Sequence, residues 1–191
     1  LQEIFRKRSA IVVYTTTEPS EALMLGGKIM VLDEGQILQI GATAEVYQRP
    51  ETLRAAEVFS DPPINALDSA VAGGKAAMGD NIPIPLTGHL AGLADGAYWF
   101  AFRSNHLWLS SQGDEDIAIS GKVELAEING SETYVYVHHG KSAFVVQQEG
   151  VHPLAMGTPI SVFINPKHFF VYDTAGRLVA APPADGIGEQ R

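Results

Sequence analysis

YTTTEPSEALMLGGKIMVLDEGQILQIGATAEVYQRP, residues Tyr14 to Pro50, carries the densest run of local signals in the chain. Ahead of it, Ile11-Val12-Val13-Tyr14 is apolar without alternation, the pattern of a parallel strand covered on both faces. Glu18 and Pro19 open a helix through Ser20–Leu25, because proline suits a first helical turn and an early carboxylate suits the positive helix end. Gly26 and Gly27 stop it. Lys28–Leu32 and Gln36–Ile40 then flank Asp33-Glu34-Gly35, a hairpin signature with Gly35 at a left-handed turn position. Thr43 can cap a further helix through Tyr47, which Pro50 stops.

Working outward, Thr52–Phe59 places Leu53, Ala56 and Phe59 at helical spacing, and Asp61-Pro62-Pro63 ends helical structure. From Asn65 the pattern turns to β. Strands are expected at Ala66–Val71, Ala76–Met78, Ile82–Leu86, Tyr98–Arg103, Leu107–Ser110, Ile117–Ile128, Thr133–His138, Ser142–Gln147, Pro159–Ile164 and Phe169–Asp173. Gly and Asn/Asp clusters separate them, which indicates a sandwich or a small barrel. Val123 and Leu125 alternate with Lys122 and Glu124, the mark of a half-buried strand. Ala180–Arg191 is expected to be a disordered tail.

The bulk properties exclude several classes. Of 191 residues, 46% are apolar, enough for a real core. No run reaches the ~18 apolar residues of a membrane span, so a soluble polypeptide is expected, reaching a membrane only through a partner. With no cysteine, thiol catalysis and thiolate zinc sites fall away. A net charge of −9 disfavours non-specific binding to nucleic acid.

Tempting motifs also fall away. Gly140-Lys141-Ser142 mimics the end of a phosphate loop, but position 135 is Val and Lys141 falls between strands. His138 and His139, as strand neighbours, point to opposite faces and cannot share one metal. Tyr134 and Tyr136 share a face and could stack on bases, but the acidic balance favours packing or an interface.

The Tyr14–Pro50 passage resembles the end of the nucleotide-binding domain of ATP-binding-cassette (ABC) import ATPases, in the maltose-importer-like branch serving sugars, glycerol and glycerol phosphate. The residues that carry the resemblance are Glu21 and Ala22, Leu32-Asp33-Glu34-Gly35-Gln36-Ile37, Gln39, Gly41, Glu45-Val46-Tyr47 and Pro50. It continues through Phe59–Asn65. The second half is similar to the C-terminal regulatory domain of that family, an oligonucleotide/oligosaccharide-binding-type barrel pair called TOBE. Arg103 and His106 keep the spacing of its R-P-E-H segment, with Ser104-Asn105 in place of Pro-Glu. Gly121-Lys122-Val123-Glu124, Gly130-Ser131-Glu132-Thr133-Tyr134 and Ile164–Phe169 match further motifs.

The resemblance implies a mainly β fold, with an α/β tail of a nucleotide-binding domain over residues 1–60, a TOBE domain over 61–180 and a flexible tail over 181–191. Because Leu1–Arg8 starts mid-turn without a capping residue, a piece of a longer chain is expected. The family's phosphate loop, catalytic glutamate and metal-binding aspartate would precede it. No catalytic residue and no metal ligand then fall in this sequence, and ATP and Mg would serve the full-length subunit only. The family histidine that contacts the terminal phosphate falls at position 17, which is Thr17 here. A hydroxyl can hydrogen-bond there but cannot titrate near neutral pH. Thr17 is therefore either a plain helix cap or the mark of a weakened ATP site beside a second ATPase subunit. Glu21, Gly35, Gly41, Arg103, His106, Gly130 and Glu132 are implied as structural motif residues. The implied partners are that second ATPase subunit and transmembrane permease subunits, at the cytoplasmic side of the inner membrane. A stand-alone barrel holding a small oxyanion or sugar is the alternative, and the nucleotide-domain tail argues against it.

Overall fold

The computed structural model describes residues 11–183. The expected helix tail at Leu1–Arg8 and most of the C-terminal tail lie outside the described residues.

The first part holds helix α1 (Pro19–Leu25), the hairpin β1 (Lys28–Asp33) and β2 (Gln36–Ala42), and helices α2 (Thr43–Gln48) and α3 (Leu53–Val58). Glu34 and Gly35 both take positive φ, 46° and 77°, as a tight turn between twisted strands requires. One face of the hairpin packs Val31 against Val46 and Phe59 in a small core. Gln39 is buried there and stays satisfied: its Nε2 donates to the Arg49 carbonyl at 3.1 Å, and its Oε1 accepts from the Glu51 N–H at 2.9 Å. Arg54 of α3 forks onto both Asp33 oxygens at 2.6 and 2.9 Å and so pins α3 to β1.

Three expectations for this part need correction. Ile11–Tyr14 is not a covered strand: Ile11 is 98% and Val13 85% exposed, because a strand needs hydrogen-bonded neighbours and the described residues supply none. Thr17 does not cap α1. The cap position is Glu18, without a side-chain bond, and the neighbouring Thr16 hydroxyl accepts from the Glu18 N–H at 2.9 Å. Thr43 does not cap α2 either. It donates its N–H and its hydroxyl to the Gly27 carbonyl, at 3.0 and 3.2 Å, and this closes the base of the hairpin. Thr52 does cap α3, accepting from the Ala55 N–H at 3.1 Å.

The rest is mainly β. A six-stranded sheet has the order β12-β11-β6-β3-β4-β5, from β3 (Asn65–Ala72), β4 (Lys75–Met78), β5 (Ile82–Ile84), β6 (Gly96–Phe102), β11 (Phe170–Asp173) and β12 (Leu178–Ala180). A four-stranded sheet has the order β10-β7-β8-β9, from β7 (Ile117–Asn129), β8 (Glu132–His139), β9 (Ser142–Glu149) and β10 (Pro159–Ile164). All pairings are antiparallel. The two sheets enclose one core, in which Phe100, Phe102, Phe144 and Phe169 interlock. Burying such rings stabilises by a few kcal/mol each, on the order of 1.5–3.

Departures from the expected pattern are local. A bulge at Glu124 shifts the β7 register, so Val123 points into the core while Leu125 is 44% exposed. Leu107–Ser110 forms a single bridge, Trp108 to Phe163, instead of a strand. Beyond Asp173 the chain adds β12, and Ala181 is buried rather than part of a loose tail.

The first part is sewn to the second. The Leu53 N–H donates to the Gly176 carbonyl at 2.8 Å, and the Leu178 N–H to the Glu51 carbonyl at 2.9 Å. Ala56 of α3 shares a cluster with Ala101, Phe170 and Tyr172 on the back of the six-stranded sheet. The peptide bond between Asp61 and Pro62 is cis.

Candidate functional site

Period-two alternation along β6 sends Phe100 and Phe102 into the shared core, and Trp99 and Ala101 to the opposite face, toward α3. Arg103 continues that second face and meets the first part of the chain. Its guanidinium carbon lies 3.6 Å from the centroid of the Tyr47 ring, its Nη2 donates to the Tyr47 carbonyl at 2.6 Å, and its Nη1 donates to the Ser60 hydroxyl. Arg103 is 5% exposed, and burial pushes its pKa below the ordinary value. Among the described residues no carboxylate reaches it. A buried cation is thus held by the rings of Tyr47 and, at 5.6 Å, Phe170, and by neutral oxygens. Beside it Tyr172 is fully buried, and that burial pushes its hydroxyl well above the ordinary range.

The same loop makes a single helical turn, Ser104–His106. His106 stacks on His168 at 4.1 Å between ring centroids, and Trp108 leans on His168 at 5.9 Å. Burial, with His168, Arg103 and Lys167 nearby, lowers the His106 pKa to about 3. The imidazole is therefore neutral near pH 7, and its Nδ1 is buried without a hydrogen-bond partner.

Ser104 begins a side-chain relay. Its hydroxyl donates to Gln147 Oε1 at 3.2 Å, Gln147 Nε2 donates to Glu132 Oε1 at 3.0 Å, and the Tyr134 hydroxyl donates to Glu132 Oε2 at 3.0 Å. Burial first, and the bond to Glu132 second, push the Tyr134 pKa up to about 12. Two residues further along β8, the Tyr136 hydroxyl donates to Glu127 at 3.2 Å, and its pKa is raised too, by burial and then by that bond.

Arg103, His106 and Glu132 thus come together in one neighbourhood. Thr17, Glu21, Gly35, Gly41 and Gly130 do not join it. Thr17 is exposed in the turn before α1. Glu21 accepts from the Tyr14 hydroxyl at 3.0 Å and from Thr16 at 2.5 Å, and the Thr16 bond leads in lowering its pKa. Gly41 lies against α2, where an added Cβ would stand 3.0 Å from Val46. Gly35 and Gly130 occupy left-handed turns, with φ of 77° and 64°. Gln147 carried no motif signal, and Asn65 entered only as the last residue of the Phe59–Asn65 resemblance, with no role attached. Asn65 could have been noticed as a polar residue opening an apolar strand, and its side chain both donates to and accepts from the Val145 backbone, at 2.9 and 2.8 Å. No nucleophile–base pair lies here; the arrangement is a charged joint between two parts of the chain. Among the described residues no three His, Asp or Glu side chains group to hold a metal, and no helix is long and apolar enough to cross a membrane.

Residues 100–171, spanning the Arg103 loop, the Glu132 relay and His168, match the TOBE domain family. Over most of its length the chain is distantly related to ABC importer ATPases. The sn-glycerol-3-phosphate import ATP-binding protein UgpC of Chromobacterium violaceum is 26% identical over 175 residues, covering 91% of this chain and 47% of that protein. The lactose transport ATP-binding protein LacK of Rhizobium radiobacter is 28% identical over 191 residues, covering 94% and 52%. The chain spans about half the length of the curated relatives it matches. A solved structure of the cytoplasmic molybdate-binding protein ModG superposes with a TM-score of 0.46 at 12% identity, covering 56% of this chain and 94% of that one.

Proposed function

We propose that this chain is the C-terminal regulatory and dimerisation part of the ATP-hydrolysing subunit of an ABC importer for a sugar, glycerol or a related polyol. One observation carries the reading: the relationship to importer ATPases runs through both the Tyr14–Ser60 part and the β domain. A free-standing barrel would have no use for the first. In this reading residues 1–60 are the tail of the nucleotide-binding domain, 61–180 the regulatory domain and 181–191 a trailing segment.

The exposed apolar surfaces of the first part support it. Met30 opposes Ile40, and Leu32 opposes Ile37, on the open face of the β1–β2 hairpin, and all four are about half exposed. A covering domain would bury them. The partners are a second ATPase subunit and permease subunits, and the place is the cytoplasmic face of the membrane, held peripherally. ATP and Mg belong to the remainder of the subunit; of the residues described, only the Thr17 turn would face the nucleotide. The mechanism is indirect. Arg103 fixes the orientation of the nucleotide-domain tail on the β domain, so paired β domains keep two ATPase halves in register as they open and close.

The test is purification of the intact subunit with its permease subunits and measurement of ATP turnover in proteoliposomes. Association and turnover are expected; an intact subunit that does neither overturns the reading. Titration of this chain with Mg-ATP should give no heat. Micromolar binding of phosphate, sulfate or maltose by the chain, with no permease association, would favour the free-standing binding module.

A further inference from the structure

We propose that the groove between α3 and the outer face of β8 and β9 docks an arginine-bearing segment of a protein partner. The groove is open to solvent, with a volume of about 490 Å³. Trp99 and Tyr136, both half-buried, form part of its walls, Leu53, Ile64 and Val145 add apolar surface, and Glu57 stands on the α3 side. Cross-strand pairing extends the same sheet face outward. Leu125, Tyr136 and Val145 lie in one row, and Glu127, Tyr134 and Gln147 in the next.

Charge decides the occupant. Glu127 and Glu132 accept from the two tyrosine hydroxyls, and Asp61 adds its negative field at both rings. Among the described residues, only Glu57 of these four carboxylates has a cationic partner, Arg54 at 3.1 Å. Lys122 stands on the same face beyond Tyr136, opposite His138, and forms no ion pair with them. Tyr136, which lines the groove and bonds Glu127, a carboxylate without a cationic partner among the described residues, suits a guanidinium, which stacks flat on a ring and forks onto a carboxylate. The chain already uses half of this chemistry where Arg103 lies over Tyr47.

Backbone pairing is the weaker mode of entry. β9 is an edge strand, but the Asn65 side chain occupies both the N–H and the carbonyl of Val145 in the middle of that edge. An added strand would have to displace it. The occupant therefore enters by its side chains.

The test uses Trp108→Phe, which leaves Trp99 as the sole indole. Hexa-arginine amide, hexaglutamate and maltohexaose are titrated separately while Trp99 fluorescence is followed. Saturable quenching by hexa-arginine alone is expected. Affinity should fall tenfold or more in Glu127→Gln/Glu132→Gln and in Tyr136→Ala, and hold in Tyr136→Phe. Asp114→Asn/Glu115→Gln changes the charge equally on the exposed loop before β7 and should keep full affinity. An equal loss in that control would mean diffuse attraction and overturn the proposal, as would tighter binding of maltohexaose or no binding of hexa-arginine. Should a groove variant fail to fold, amide shifts of the unmutated chain decide. They must cluster at Trp99 and Ala143–Gln147, and shifts centred elsewhere overturn the site.

Discussion

The Arg103 side chain donates to the backbone carbonyl of Tyr47 at 2.6 Å while lying 3.6 Å above the ring of that same residue. One buried cation thus reads both the position and the rotamer of a residue far away in sequence. Arg103→Ala removes charge-assisted bonds and a ring contact, and is expected to cost about 3 kcal/mol in urea unfolding. Arg103→Lys should recover little, because an ammonium cannot lie flat and fork. A double-mutant cycle with Tyr47→Ala should show coupling of about 1 kcal/mol. Coupling near zero would mean that the ring only fills space.

His106 makes stability depend on pH. Its folded pKa is lowered to about 3, while an unfolded histidine titrates near ~6.5. Between those values the unfolded chain binds the extra proton. The contribution is therefore complete above pH ~6.5 and is lost as pH falls toward 3. Comparing pH 6.5 with pH 4.5, the loss from this group is expected to be about 2 kcal/mol. His106→Phe should abolish that share of the slope and remain stable at pH 7, since it also removes an unsatisfied buried nitrogen. An unchanged slope would place the acid sensitivity elsewhere.

Gly121 belongs to β7, and an added Cβ would strike the Val137 side chain and come within 2.8 Å of the His138 carbonyl oxygen. The backbone cannot yield without breaking the β7–β8 ladder. Gly121→Ala is expected to cost about 2 kcal/mol or more. Gly113→Ala, which meets nothing within 4 Å, should be close to neutral in the same thermal melts.

The half-exposed hairpin face bears on association. Met30→Gln with Ile37→Gln should reduce concentration-dependent self-association in sedimentation runs. Amide exchange should be fast at Ile11–Tyr14 and slow at Val135 and Val137, whose side chains are fully buried. Slow exchange at Ile11–Tyr14 would reveal cover on that segment.

If the proposed role holds, Thr17→His in the intact transporter should raise ATP turnover by ~10²-fold at a weakened site, since imidazole can orient the attacking water. Phosphate release in liposomes with the partner subunit present is the readout. No change would mean that threonine suffices at that position.

Much of the strand order in sequence was legible because turn residues punctuate it. Asp33-Glu34-Gly35 marked the hairpin, and both Glu34 and Gly35 adopt the positive φ that the turn demands. What escaped was everything that depends on a neighbour. An apolar run such as Ile11–Tyr14 states that a strand could form, but not whether another strand stands beside it. The bulge at Glu124 hid because local alternation reads the same on either side of one inserted residue. Arg103, His106 and Glu132 were legible as motif residues. The meeting of Arg103 with Tyr47 and Ser60 was not, because these lie 56 and 43 positions away and no periodicity reports on such contacts.

The seam between residues 51–53 and 176–178 also governs how the molecule is made. Tyr172 donates to the Pro50 carbonyl across 122 positions, and Asn65 reaches Val145 across 80. Such closures cannot form until the distant segment has left the ribosome. Early helices then wait, with apolar faces bare, through most of translation. Chains with contacts this distant fold slowly and expose themselves to aggregation meanwhile. Yield in a cell should therefore respond to synthesis rate and chaperone supply more than the equilibrium stability of the finished protein would suggest.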